Sequence, residues 1–351
     1  MSAATDLKRQ LSEMRPGGTR GDLAGLAEAL NRFIESDRTR PEIAQPRVAV
    51  LVPCYNEEAA VGKVVRDFRA SLPDAQIYVY DNNSSDGTVA VARAAGADVR
   101  SERRQGKGHV VRRMFADIDA DIYLLVDGDA TYDAPSAPKM IDKLMTDQLD
   151  MVVGFRVDQE QAAYRRGHRT GNWMLTSFLA SVFGQAFTDI LSGYRVFSRR
   201  FVKSFPVLSD GFEIETELTV HALELALPVA EIETPYYARP EGSFSKLNTW
   251  RDGFRILNTI LKLYRSEKPL RFFSMIGACL MLVSVGLSIP VVLTYLELGI
   301  VPRLPTAVLS MGLMILAVLS VSSGLVLDTV TRGRREIKLL AYLSQPAVGK
   351  S

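Results

Sequence analysis

Apolar residues fall along this chain in two rhythms. In the first, short apolar runs alternate with helical stretches. Val48 to Val52 (VAVLV), Gln76 to Tyr80 (QIYVY), Ala97 to Ser101 and Ile122 to Val126 (IYLLV) are too short for free-standing helices and read as strands of a buried parallel sheet. Between them, Ala59, Val61, Val64, Val65 and Phe68, and later Val110, Val111, Met114 and Phe115, recur at helical spacing. This alternation predicts a doubly wound α/β domain over 46–248, with a ligand site beyond the carboxyl ends of its strands. Residues 1–45 are polar, with Leu7, Leu11 and Met14, then Leu23, Leu26, Leu30, Phe33 and Ile34, at helical spacing on either side of Pro16-Gly17-Gly18. They predict an amphipathic helical extension that packs on the domain or lies on a membrane.

The second rhythm is unbroken apolarity. Phe272 to Leu296 and Thr306 to Leu327 carry no charged residue, and about 20 apolar residues span a bilayer core. The linker from Glu297 to Pro305 is short, so 272–330 is expected to form a transmembrane hairpin. Arg265, Lys268 and Arg271 precede it, Arg332, Arg334, Arg335 and Lys338 follow it, and the linker holds only Arg303. By the positive-inside rule both outer ends and the large domain face the cytoplasm, and 331–351 is a basic cytoplasmic tail. Residues 249–271 carry Phe254, Ile256, Leu257, Ile260, Leu261 and Leu263 among Arg251, Arg255, Lys262 and Arg265, the pattern of an interfacial helix. Ser320 and Gly324 form a small-xxx-small pair of the kind that lets membrane helices associate, which admits a homo-oligomer.

Composition narrows the field. The 351 residues carry a net charge of +2 with 23% charged residues, which excludes a basic nucleic-acid binder as a class. The two cysteines are Cys54 and Cys279. Cys279 lies in an apolar span, so no disulfide is expected, and the N-terminus lacks an apolar signal-peptide core.

The candidate chemistry centres on the stretch IYLLVDGDATYD. Asp127 and Asp129 stand where the fourth strand gives out, with Gly128 between them. They suit a Mg²⁺ or Mn²⁺ ion bridged to a diphosphate; an acidic turn is the alternative. Asp81 ends the second strand, where an acid accepts bonds from a base or ribose. Asn82, Ser84 and Asp86 suit loop bracing and helix capping. Gly106-Lys107-Gly108 brings amides and an ammonium near a phosphate, or forms a plain surface turn. His109, His168 and His221 lack metal-ligand spacing and read as structural or surface residues. Glu213 and Glu217 share a helix face, four residues apart, and read as loop-bracing groups rather than metal ligands. Trp173, Phe178 and Phe183 outline an amphipathic helix that covers a groove, touches lipid or packs in the core.

Taken together, VPCYNEE, DNNSSDGT, RQGKG and VDGDATYD, followed by SGYRVFSRRF, FEIETEL and RPEGSFSKL, resemble the family 2 glycosyltransferases of GT-A fold. The likeness runs from about Val48 to Leu247. It is greatest to the branch that makes polyprenyl-phosphate sugars, which includes dolichol-phosphate mannose synthase. The resemblance implies a doubly wound, Rossmann-like mixed sheet with the two-helix membrane hairpin behind it. It implies that Pro53, Tyr55 and Glu57 line the nucleotide site, that Asp81 contacts the base and that Lys107 serves the nucleotide. It implies that Asp127 and Asp129 hold the metal and the diphosphate. Arg156 and Arg169 fall where the family places residues near the acceptor phosphate, Arg239 and Lys246 match a segment that closes over the phosphates, and all four are expected at the acceptor phosphate. Asp129, Arg156 and Arg239 are therefore the expected catalytic groups. Relatives often carry Gln two positions after the second acid as a further metal ligand; here Thr131 stands there, and its hydroxyl, or a water, is expected to take that ligand's place.

The activity so implied is inverting transfer of a sugar from a nucleotide sugar to a polyprenyl phosphate at the cytoplasmic membrane face, a bacterial inner membrane being favoured over endoplasmic reticulum. A UDP-sugar is the favoured donor and GDP-mannose the alternative. A phosphate acceptor needs cations more than a strong base, and Arg156, Arg165, Arg166, Arg169, Arg195 and Arg239 fall in the second half of the domain; of these, Arg165 and Arg166 read rather as membrane-surface or solvent-facing charge. Arg195 is expected to brace a loop through Asp189. Two other readings are weighed against this one. A processive polysaccharide synthase would bring more spans and a Q-x-x-R-W segment. A non-catalytic membrane scaffold would not need Asp81, Asp127, Asp129 and Arg239 intact.

Overall fold

A computed structural model of the chain describes residues 45–158, 187–209, 213–240 and 261–347, with 177, 211 and 258 as isolated positions. The expectations for the N-terminal extension, for Arg165, Arg166, Arg169, Trp173 and Lys246, and for most of the interfacial helix lie outside the described residues. The description that follows concerns the unit from Arg47 onward.

The first half follows the alternation read from the sequence. Strand β1 (Val48–Cys54) leads to α1 (Glu58–Ser71), β2 (Gln76–Asp81) to α2 (Thr88–Ala94), β3 (Asp98–Ser101) to α3 (Lys107–Asp117), and β4 (Ile122–Leu125) to α4 (Ala137–Thr146) through a 3₁₀ turn at Ala134–Ser136. Strands β5 (Met151–Asp158) and β6 (Arg195–Ser198), helices α5 (Arg199–Ser204) and α6 (Ile214–Glu224), and strand β7 (Val229–Tyr236) complete the domain. The sheet order is β3-β2-β1-β4-β6-β5-β7. β1 to β4 run parallel, β6 is antiparallel to both β4 and β5, and β5 runs parallel to β7. This is the mixed α/β sheet of GT-A type.

Alternate strand residues feed two cores. Ala49, Leu51, Tyr123 and Leu125 pack on one face with Val111 and Met114 of α3 and Leu218 of α6. Val50, Val52, Ile122 and Leu124 pack on the other with Val61, Val65 and Phe68 of α1 and Met140 of α4. A one-residue slip of β4 would exchange these sets, so the register that places Asp127 is fixed by burial on both faces. Helix α6 is buried along nearly its whole length, including Thr216, Thr219 and His221, which is why it carries no clean amphipathic stripe.

Two long helices follow, α7 (Pro269–Leu298) and α8 (Leu304–Leu343), both long and apolar enough to cross a membrane. They pack on each other closely. A Cβ on Gly277 would stand 2.9 Å from the Ala317 carbonyl oxygen, and one on Gly324 would stand 3.0 Å from Phe273 Cβ. Ser284 Oγ donates to the Ser310 carbonyl at 2.6 Å and Ser320 Oγ to the Phe273 carbonyl at 2.9 Å. The Ser320 and Gly324 pair is thus taken up inside the hairpin. Helix α8 does not stop at the expected boundary near 330. It continues to Leu343, and its last turns rest on the α/β domain: Lys338 Nζ pairs with Glu224 at 2.6 Å, and Tyr342 Oη donates to Asp150 at 2.8 Å.

Candidate active site

The strand-end geometry comes from the parallel pairing. Leu51 lies opposite Leu125 and Cys54 opposite Asp81, so the loops after β1, β2 and β4 open at one edge of the sheet. The first two loops are stitched together. Asn56 N donates to Ser84 Oγ at 2.9 Å, Glu57 N to Thr88 Oγ1 at 2.8 Å and Glu58 N to Asp86 at 3.2 Å, while Gly87 N donates back to Glu58 at 2.8 Å. Helix α1 therefore has its first orphan amides capped by the neighbouring loop rather than by its own residues. Asn82 ties in the loop after β3: its amide donates to the Glu102 and Arg104 carbonyls and its oxygen accepts from Gly106 N at 2.7 Å. Ser84, Asp86 and Asn82 thus brace and cap, as their residue types indicated. Asp81 is buried at the end of β2, and both its oxygens lie within reach of Ser84 N, at 3.2 and 3.3 Å. Pro53 is the last but one residue of β1, opposite Tyr80, Glu57 is buried and Tyr55 is exposed at the rim.

Asp127 and Asp129 leave the end of β4 in a tight turn. A Cβ at Gly128 would stand 2.5 Å from Cys54 Sγ, so only glycine lets the turn pass under β1. Ala130 then takes a φ of 58°, which folds Thr131 back. Thr131 N and Oγ1 both donate to Asp129 Oδ1, at 3.2 and 2.6 Å, and the Thr131 carbonyl accepts from Tyr237 N at 2.9 Å. Thr131 is fully buried and orients Asp129. The Tyr237 bond and the Tyr132–Tyr236 bridge run the end of β7 past this turn. They bring Arg239 Nη2 to 2.7 Å from Asp129 Oδ2.

Asp127 is fixed from two other directions. Lys107, the first residue of α3, reaches it with Nζ at 2.5 Å from Oδ1. The same ammonium pairs with Glu215 in the first turn of α6. Gly193 lies against the Asp127 carboxylate so closely that any Cβ there would collide with Oδ2. The site so assembled holds Asp127, Asp129 and Glu215 against Lys107 and Arg239, three acids against two cations. Burial, and next the neighbouring Asp127, push the Asp129 carboxyl up from its ordinary value. Burial likewise raises Glu215, against the pull of Lys107. Burial lowers Lys107, but Asp127 and Glu215 outweigh it, and the ammonium is held above its ordinary value. Glu215 and Gly193 lie within the FEIETEL and SGYRVFSRRF segments, but nothing in those motifs places either beside Asp127.

The arginines divide. Arg156 forms a two-pronged pair with Asp189, Nε to Oδ2 at 2.6 Å and Nη2 to Oδ1 at 2.8 Å, with its guanidinium 5.4 Å from the Tyr236 ring. Arg195, expected to brace its loop through Asp189, instead does so through carbonyls. Its Nε donates to Ser192 and its Nη2 to Ile190, while Nη1 donates to Thr219 Oγ1 at 2.9 Å. Arg195 is fully buried, and burial lowers its pKa to about 10. Glu217 accepts from Leu208 N and Ser209 N, each at 2.8 Å, which is loop bracing.

Among the described residues no group of three or more His, Cys, Asp or Glu side chains is arranged to hold a metal ion. Asp127 and Asp129 offer two hard carboxylates and no more. That donor set fits Mg²⁺ or Mn²⁺, which commonly bind through one or two carboxylates and complete their shell with substrate phosphates.

Comparison with known proteins gives the family and the fold. The sequence profile described as Glycosyl transferase family 2 matches residues 49–205. The glycosyltransferase AglJ of Haloferax volcanii is 35% identical over 291 residues, 82% of this chain and 95% of that protein. The dolichyl-phosphate hexose transferase of the same organism is 27% identical over 221 residues, 63% of this chain and 95% of its own. Glucosyl-3-phosphoglycerate synthase from Mycobacterium tuberculosis, solved in complex with Mn²⁺, UDP and phosphoglyceric acid, shares the fold. Its TM-score is 0.52 at 22% identity, over 72% of this chain and 84% of that one.

Proposed function

The chain belongs to glycosyl transferase family 2, and from that premise we propose that it moves a hexose from a nucleotide sugar to a polyprenyl phosphate at the cytoplasmic face of a membrane. The observation that carries the proposal is the meeting of Asp127, Asp129, Lys107 and Arg239 at one strand end. The relative named as a dolichyl-phosphate hexose transferase supports a polyprenyl phosphate as acceptor, and the two long apolar helices support a membrane location. The fold neighbour solved with Mn²⁺ and UDP agrees with a UDP-sugar as the preferred donor; GDP-mannose is the alternative.

The nucleoside diphosphate leaves with negative charge growing on its oxygens. A divalent ion held by Asp127 and Asp129 would neutralise that charge when bound. Lys107 and Arg239, already at the carboxylates, are within reach of the same diphosphate, and Asp81 with Pro53, Tyr55 and Glu57 forms the nucleoside end of the site. The acceptor is a phosphate monoester with a second pKa near ~6, largely dianionic at neutral pH, so it attacks without a strong base. Arg156, Arg169 and Lys246 are its proposed partners, and the rate then depends on holding it in line. Attack by the acceptor on the sugar carbon expels the diphosphate in one displacement and inverts that carbon.

The test is incubation of the full-length protein with labelled UDP- and GDP-sugars and undecaprenyl or dolichyl phosphate. A labelled lipid cleaved by mild acid is the expected product. Nucleotide binding without any lipid product from either donor would favour the scaffold reading.

A further inference from the structure

Glu215 is a buried acid with no part in the displacement just described. Its Oε1 accepts from Lys107 Nζ, and the two side chains are 6% and 9% exposed. The ammonium is therefore enclosed between Glu215 and Asp127, while Arg239 stands on Asp129. Each acid of the metal-binding pair thus carries its own cation. A divalent ion entering alone must displace both. Lys107 would then lose one of its two carboxylates and Arg239 would lose Asp129, in a site nearly closed to water where lost charge pairing is costly. An ion entering with a nucleoside diphosphate meets a different balance, because the displaced ammonium and guanidinium gain phosphate oxygens in exchange. The small donor set points the same way, since two carboxylates leave most of an ion's shell to water, which a diphosphate's oxygens can replace.

We infer that Lys107 and Arg239 are built-in counter-ions which make the metal ion bind together with a nucleoside diphosphate rather than before it, and that Glu215 is the positioning residue that keeps the Lys107 ammonium at the exchange point. This rests on the proposed reading of Asp127 and Asp129 as the metal-diphosphate pair. On departure of the nucleoside diphosphate Lys107 and Arg239 would return to Asp127 and Asp129, the arrangement the structure shows.

The experiment is titration of the full-length protein in detergent with Mn²⁺, free ion being followed by electron paramagnetic resonance, with and without saturating UDP or GDP. The unaltered protein is expected to bind Mn²⁺ about 30-fold more tightly with nucleotide present, within the usual range of coupling between sites. Lys107→Met is expected to tighten Mn²⁺ binding in the absence of nucleotide by about tenfold, or about 1.4 kcal/mol, and to shrink the coupling. Because that variant leaves Glu215 buried without a partner, Lys107→Met/Glu215→Gln removes both charges and is expected to give the same result. Glu215→Gln alone should weaken Mn²⁺ binding without nucleotide, since the ammonium is then left wholly to Asp127; a merely structural glutamate would not move that value. A double variant whose nucleotide-free affinity is unchanged overturns the inference alone, whereas equal Mn²⁺ affinity with and without nucleotide removes the metal-diphosphate reading of Asp127 and Asp129 as well. If neither nucleotide binds, the functional reading falls and takes this inference with it.

Discussion

Tyr342 sits at the far end of a helix whose first turns are long and apolar enough to cross a membrane, yet its hydroxyl donates at 2.8 Å to Asp150, a fully buried carboxylate just before β5. Asp150 also accepts from Ser198 Oγ and from Arg200 Nε, both at 2.6 Å, and the Arg200 guanidinium lies 4.9 Å from the centre of the Tyr342 ring. Tyr342→Phe keeps the ring and its cation-π contact and removes one hydrogen bond to a buried charge. Such a bond contributes about 1.5–3 kcal/mol. For a domain of this size each kcal/mol shifts Tm by roughly 2–4 °C, so the variant is expected to melt lower by roughly 3–12 °C. Thermal unfolding of the full chain in detergent reads this, with Tyr295→Phe, at an exposed position in α7, as a control that should not move. A Tyr342→Phe protein that melts together with the parent would refute the claim that the tip of α8 is part of the catalytic domain. The same geometry bears on truncation after Leu270. That cut removes Tyr342 and also Lys338, the partner of Glu224. Breaking a buried pair from one side costs about 3–5 kcal/mol, so the isolated α/β domain is expected to be unstable rather than a free-standing nucleotide binder.

Gly193→Ala should push the Asp127 carboxylate aside and cut Mn²⁺-assisted nucleotide binding by about tenfold, roughly one charge-assisted contact, with little change in Tm; unaltered binding in calorimetry would mean that Asp127 is not the working acid. His221 is buried among Phe201, Phe205 and Ser204, and burial lowers its pKa from 6.5 to about 3. Below pH 6.5 the unfolded chain therefore takes up a proton that the native chain refuses, and His221 subtracts about 1.4 kcal/mol of stability per pH unit as pH falls toward 3. His221→Phe should flatten denaturant stability between pH 6.5 and 5 by that slope relative to the parent, and parallel curves would contradict it. Asp189→Ala strips Arg156 of its two-pronged partner and should cost about 3–5 kcal/mol in chemical denaturation; a loss below 1 kcal/mol would show the pair to be solvated.

Local pattern carried much of this molecule. The strands from Val48 to Leu125 were legible because they are short, apolar and separated by helical periodicity, and the acids at Asp127 and Asp129 were legible because a buried strand must end where its charges begin. The two apolar helices were legible from length alone. What local pattern could not carry was long-range pairing. Strand β6 inserts antiparallel between β4 and β5, and nothing in the four residues Arg195–Ser198 announces it. Glu215 reaches Lys107 across 108 residues of sequence, while its neighbours Glu213 and Glu217 drew attention by helical spacing. Asp189 was matched to Arg195 by proximity in the chain, but the cross-strand geometry gives it to Arg156. The apolar run of helix α8 ends in charges near 330, which suggests a boundary there, whereas Lys338 among those charges docks its last turns on Glu224 and Tyr342 docks them on Asp150.

The account stands on the acid pair at the tip of β4. Its most direct test is calorimetric binding of UDP and GDP to the full-length protein and to Asp129→Asn, each with and without Mn²⁺. The account predicts that one of the two nucleotides binds, that Mn²⁺ strengthens it by about tenfold or more in the parent, and that Asp129→Asn keeps the weak metal-free binding but loses the strengthening. An Asp129→Asn protein that responds to Mn²⁺ as the parent does would contradict it.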